Sequence, residues 1–301
     1  MERMTANAGV GFGSMTVSLH EMDAIDLGRQ YDKPVPAHNR ASRMAHRSRH
    51  PVLCGRTRDE NDVKWFGGLR NVGDGTAILE TGWPEGVNRL KAMVAKLAAK
   101  IPPAKSVRRR LRWSDDGDEV SKDRLNGGQV DSCWRTTRRE LSEGSEVVSI
   151  ETNWGGPCNL TAEQLFWQGA AAACLTDVLE EAGYRVEVYA TNCSDHHHGK
   201  TVVRVRVKEA DQPTRLNTLA AVMCHAGVYR ICGLAAKEQA NFPINNNYGS
   251  TAKLAREQFE ALQVTLGQSG TGTICFGQIY DEQSAVLAIE QEIARLQGEN
   301  Q

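Results

Sequence analysis

From about residue 147 onward the sequence predicts a three-layer α/β domain on a mainly parallel sheet, preceded by a smaller α+β region. Three observations carry this expectation. EVVSIET (146–152), YRVEVYAT (184–191), TVVRVRV (201–207) and residues 273–279 are β-branched or alternating runs of strand length. Between and after them, apolar residues recur at helical spacing over 161–182, 215–227, 229–239, 253–262 and 282–296. Strands separated by helices of roughly 10 to 20 residues imply parallel neighbours covered on both faces. Residues 141–144 read as a linker, which divides the chain into 1–142 and 143–301.

The N-terminal elements are less strongly patterned. Residues 1–30 end in SLHEMDAIDLG, where Leu19, Met22, Ile25 and Leu27 have the spacing of a short helix. Residues 34–58 carry His38, Arg40, Arg43, His46, Arg47, Arg49, His50, Arg56 and Arg58 with few apolar residues, and predict a loop that contacts a partner. WPEG (83–86) opens a helix with Val87, Leu90, Val94, Leu97 and Ile101 on one stripe, stopped by Pro102 and Pro103. KSVRRRLRW (105–113) alternates basic and apolar residues like a strand with one charged face, and the acidic SDDGDEV that follows offers it partners.

In the second half, NWGGPCN (153–159) is a turn, and the helix after it is closed by Gly183. Leu165, Phe166, Leu175, Val178 and Leu179, with Ala170 to Ala173, form a small-residue face suited to packing on a sheet.

Composition bounds the function. Lys plus Arg number 36 against 37 Asp plus Glu, so the net charge of −1 gives no global field to recruit nucleic acid or an anionic membrane, and any basic patch is local. No apolar run approaches the roughly 18 to 20 residues of a membrane span, and the first residues lack a hydrophobic signal core, so a cytoplasmic location is expected. The eight cysteines form no CxxC pair and read as reduced thiols.

Chemistry is expected at the carboxyl ends of the strands. Gly155 and Gly156 bring backbone N–H groups near a helix start, which reads either as an anion cradle or as a Gly-Pro turn capped by Asn159 or Thr161. Neither a P-loop Lys-Ser/Thr nor a complete GxGxxG is present. Cys158 stands where a helix dipole lowers a thiol pKa, with His225 and His196 to His198 as candidate bases. Cys193 and the three histidines also read as a metal-binding or solvated loop. Asp211 either caps a helix or faces the crevice. Arg43, Arg47 and Arg49, with Arg108, Arg109, Arg110 and Arg112, form two basic segments that contact nucleic acid, with Trp113 or Trp134 for stacking, or stay solvated.

GWPEG (82–86), WSDDGDEV (113–120) with DRL (123–125), QGAA (168–171), LEEAGYRVEV (179–188) and KEADQP (208–213), in that order, carry a family resemblance. Over residues 80–240 the chain resembles an uncharacterised family of phages, prophages and mobile elements whose fold is von Willebrand factor A-like, a Rossmann-like arrangement. A metal-binding domain of that type holds magnesium with an Asp-x-Ser-x-Ser turn after its first strand. The matching positions here are Glu151, Asn153 and Gly155, which lack both hydroxyls and imply a degenerate magnesium site.

No catalytic residue is assigned. The first expectation is a non-enzymatic interaction or adaptor module of phage or mobile-element origin that binds a protein partner through its strand-end face. The second is a nucleic-acid-associated protein using 38–58 and 105–112. The third is a small enzyme using an anion-binding turn at 155–159.

Overall fold

The computed structural model describes residues 3–7, 16–54, 59–98, 109–114, 119–128, 132–139, 147–196, 199–239, 253–266 and 273–299. The strands are β1 (Arg3–Asn7), β2 (Thr16–Asp23), β3 (Arg109–Ser114), β4 (Glu119–Val120), β5 (Trp134–Arg139), β6 (Val147–Asn153), β7 (Arg185–His196), β8 (Gly199–Lys208) and β9 (Thr273–Phe276). The helices are α1 (Ala24–Leu27), α2 (Arg40–Arg49), α3 (Glu60–Trp65), α4 (Val72–Thr81), α5 (Pro84–Ala98), α6 (Lys122–Asn126) and α7 (Ala162–Glu181). They continue with α8 (Leu216–Cys224), α9 (Ala226–Lys237), α10 (Arg256–Thr265) and α11 (Glu282–Glu299).

Six strands form one mixed sheet in the order β1-β2-β8-β7-β6-β9. The pairs β2/β8, β7/β6 and β6/β9 are parallel, whereas β1/β2 and β8/β7 are antiparallel. The parallel pair β2/β8 therefore runs opposite to the parallel group β7/β6/β9, with β1 as an antiparallel edge. β7 and β8 cannot be parallel because only residues 197 and 198 separate them, and a parallel connection needs a crossover of a dozen or more residues.

The α/β expectation holds, and helices cover both faces of the sheet. Val148, Ile150, Ala190, Val203, Val205 and Ile274 pack on the side of α7, α8 and α9, while Val17, Leu19, Cys193 and Val202 pack with Leu254, Phe259 and Leu262 on the α10 side. α7 begins where the sequence indicates: Thr161 Oγ1 accepts the Gln164 N–H at 3.2 Å and Gln164 Oε1 accepts the Thr161 N–H at 2.9 Å, a reciprocal cap that makes Thr161 rather than Asn159 the first residue.

Three N-terminal expectations are corrected. Residues 16–23 are strand, and helix begins only at Ala24, because Val17 and Leu19 fit the two-residue period of a strand that finds its partner in β8. Where a loop was expected over 34–58, residues 40–49 form α2, a ten-residue helix with no buried residue, and residues 55–58, with Arg56 and Arg58, lie outside the described set. The boundary at 142/143 does not separate two cores: β2 lies within the same sheet as β8, and Leu27, Val52, Phe66 and Leu90 share one apolar cluster with Ile150, Ala172 and Leu219.

β3, β5 and β4 form a separate antiparallel sheet in that order. The basic strand expected at 105–113 is β3, with residues 101–108 and the acidic residues 115–118 outside the described set.

Candidate functional site at the strand ends

The carboxyl ends of β2 and β8 lie side by side and open into a crevice of about 980 Å³, the scale of a ligand pocket. α1 and α4 form one wall, with Ile25, Leu79 and Glu80, and the 209–218 connection and α8 form the other. Arg206 crosses the floor: its Nε donates to Asp23 Oδ1 at 2.7 Å and its Nη2 lies 3.2 Å from Glu209 Oε1. The bond to Asp23 is the first cause that holds this guanidinium above its ordinary pKa. Lys208 is sealed beneath, its Nζ 2.5 Å from Glu180 Oε1 and donating to Val186 O at 2.7 Å. Among the described residues that line the crevice, Asp32, Glu80 and Arg215 keep their charges open. Asp211 is exposed beside the lining residues Gln212 and Pro213, so KEADQP forms part of the mouth.

The opposite end of the sheet holds the turn from which magnesium or anion binding was expected, and each residue there has another task. Glu151 is fully buried; Arg204 Nε and Nη2 both donate to its Oε1, at 2.9 and 2.5 Å, and Thr191 Oγ1 donates to its Oε2 at 2.9 Å. Arg204 also reaches Glu21 Oε2 at 2.6 Å and lies 3.4 Å above the Tyr189 ring. Burial pushes the Glu151 carboxyl up while Arg204 draws it back down, and the two-nitrogen contact is that of an ionised pair. Asn153 ties the 254 segment to β9: its amide donates to Leu254 O and Phe276 O and its carbonyl accepts the Leu254 N–H.

Gly155 has φ of +88°, and a Cβ there would lie 2.1 Å from Tyr229 Cζ. At Gly156 a Cβ would meet Leu160 Cδ1 at 2.2 Å. Packed side chains thus fill the space an anion would need, and the glycines serve close packing. Cys158 is exposed at the edge, its carbonyl accepting the Trp65 indole N–H at 2.8 Å. His225, one expected base, accepts the Gly227 N–H at 3.1 Å at the start of α9, and the side chains of the other, His196 to His198, lie outside the described residues.

The two basic segments differ. Arg43 is half-buried, its Nε 3.2 Å from Glu238 Oε2 and its Nη1 donating to Lys33 O at 3.1 Å, while Arg47 packs 4.5 Å over the Tyr31 ring. These two hold α2 in place, and Arg49 is exposed. Arg109, Arg110 and Arg112 lie on β3, and Arg108 is outside the described residues.

Sequence reasoning missed a buried polar patch. Strand register places Ser18, Thr201 and Ser194 in one row and His20, Val203 and Asn192 in the next. Above it, Tyr229 Oη accepts from Asn192 Nδ2 at 3.2 Å and from Lys237 Nζ at 3.3 Å. Lys237 is 1% exposed, and its Nζ donates to a hydroxyl. α9 carries a π-helical turn from Tyr229 to Gly233, a geometry found often at functional positions. The available signal was the alternation of polar residues at 18 and 20 and at 192 and 194, which puts each pair on one face of its strand.

A family model described as a domain of unknown function (DUF7192) matches residues 20–280. The chain belongs to this family. The DUF7192 match runs from β2 through β9 and across the 142/143 boundary, in keeping with the shared core. No curated protein and no solved structure matches the chain significantly. Among the described residues there is no cluster of three or more His, Cys, Asp or Glu placed to hold a metal, and no single helix is long and apolar enough to cross a membrane. The bent pair α8 and α9 passes a length and composition test for a span, but both helices are buried in the core.

Proposed function

We propose that this protein is a non-enzymatic interaction module whose β2/β8 crevice takes a segment of a partner protein. The observation that carries this reading is the pairing of open charge with open apolar surface at one concave place. Asp32 and Glu80 belong to one side of the crevice, Arg215 to the other, and Ile25 is 74% exposed among them. A segment with an apolar side chain flanked by one basic and one acidic residue matches that arrangement.

Phage or mobile-element origin and a von Willebrand A-like fold belong to the same proposal. The helices on both faces of the sheet support the fold reading. A cytoplasmic setting is supported by eight free cysteines, five of them buried. A magnesium ion finds no support at Glu151 and Asn153, whose polar atoms are already engaged.

The test is capture from the native host by the intact chain, with nuclease and at two salt concentrations, beside Arg215→Glu and Glu80→Lys. A partner retained through nuclease and lost with both substitutions is the expected result. Capture indifferent to both substitutions, or abolished by nuclease, removes the crevice from the function.

A further inference from the structure

We infer that the buried polar patch between β7, β8 and the end of α9 binds a small carboxylate, at the opposite end of β8 from the crevice. The first observation is the company kept by Lys237. Five lysines and arginines are buried among the described residues, and four of them have strong acceptors. Lys200 pairs with Asp195, Arg204 with Glu151 and Lys208 with Glu180, while Arg230 donates to Trp65 O and Leu160 O. Lys237 Nζ has only the Tyr229 side chain, its hydroxyl at 3.3 Å and its ring centroid at 5.6 Å. Glu238, next in the chain, is turned to Arg43.

The second observation is Thr201, whose hydroxyl is fully buried and has no hydrogen-bond partner among the described residues. Each of the other buried serine and threonine hydroxyls has one. Strand register brings the two observations onto one face. Thr201 lies opposite Ser194, Asn192 is two residues before Ser194 on the same side of β7, and Asn192 Nδ2 donates to the Tyr229 hydroxyl that also receives Lys237. The patch stands at the carboxyl ends of β6 and β7, where ligands of α/β sheets bind, and the π-helical turn of α9 begins at Tyr229 itself.

An ammonium is among the costliest groups to bury without a counter-charge, and a buried hydroxyl left unpaired marks the place of an acceptor that the chain does not supply. One negative charge balances Lys237, whereas a phosphate dianion would leave a net buried charge, and the patch has no guanidinium fork to grip one. With Lys237 at 1% exposure and Thr201 at 0%, the anion is a small molecule rather than a peptide or a nucleic acid.

The experiment is thermal unfolding of the full chain in sodium HEPES at pH 7.5, with sodium acetate replacing the bulky HEPES sulfonate at constant ionic strength, and with chloride and phosphate in separate arms. A ligand that binds the folded chain stabilises it by mass action, so acetate is expected to raise the wild-type melting temperature by about 2 °C at about 50 mM, with chloride and phosphate each raising it less. Lys237→Met is expected to abolish the rise and, relieved of an unbalanced charge, to melt no lower than wild type in HEPES alone. Thr201→Val is expected to move the acetate response to about tenfold higher concentration. Thr176→Val on α7, which deletes a buried hydroxyl bonded to Ala172 O, is expected to melt lower and keep the rise. The inference is overturned by absence of a rise with acetate, by an equal rise in Lys237→Met, by Lys237→Met melting below wild type in HEPES alone, or by chloride or phosphate matching acetate.

Discussion

Arg204 and Glu151 sit side by side on the α10 face of the sheet without access to water, so each is tolerated only because the other is there. Arg204→Met is expected to cost about 3–5 kcal/mol in urea unfolding at pH 7, since it strands a buried carboxylate, and addition of Glu151→Gln is expected to restore most of the loss. An undiminished cost in the double variant would mean that the arginine acts mainly through Glu21 or the Tyr189 ring. Gly155 and Gly68 make a second comparison, as both have positive φ, +88° and +96°, but only Gly155 has a side chain against it. Gly68→Ala is expected to cost about 1 kcal/mol from backbone strain alone. Gly155→Ala adds collision with Tyr229 and is expected to cost about 3 kcal/mol or more, so similar losses at the two sites would show that the Tyr229 ring moves aside.

At the scale of elements, α9 begins at His225, whose ring nitrogen accepts the Gly227 N–H while burial lowers its pKa to about 4. The fold thus favours the neutral ring, and the stability it confers is complete above about pH 6.5 and is lost as pH falls through 4. His46 on α2, lowered by burial to about 3, acts in the same direction. His225→Asn keeps an acceptor at the cap but does not titrate, so its melting temperature is expected to fall less than that of wild type between pH 7 and pH 4.5; parallel curves would remove His225 from the acid response. The elements from β6 to α11 were legible because long strands and helices impose their own period on the residues, as TVVRVRV and the Thr161 cap illustrate. β2 was misread because Leu19, Met22, Ile25 and Leu27 satisfy a helical spacing locally, and nothing nearby announces that Val202 and Val205 are waiting for them. α2 was missed for the complementary reason that its anchors, Glu238 and Tyr31, supply a docking surface to a helix with no apolar face. The crevice was legible only as a rule about strand ends, since its walls come from α1, α4 and α8, which the sequence gives no means of assembling.

For the molecule as a whole, the shared core makes a definite claim about dissection. A fragment of residues 143–301 leaves β8 as an unpaired edge and uncovers the apolar surface on which Leu27, Val52, Phe66 and Leu90 pack. It is expected to aggregate or to lack a cooperative melt, and a soluble fragment with a sharp transition would restore the boundary at 142/143. The same insertion of β2 beside β8 governs how the chain is made. Glu21 and Arg204 are 183 residues apart, which at about 5–20 residues per second of synthesis is a delay of roughly 10–40 seconds. For that interval the segment with Val17, Leu19 and Met22 has left the ribosome while its parallel partner has yet to be translated. A chaperone that holds short apolar strands therefore has a defined window on this chain, and slowing translation between residues 23 and 199 lengthens it.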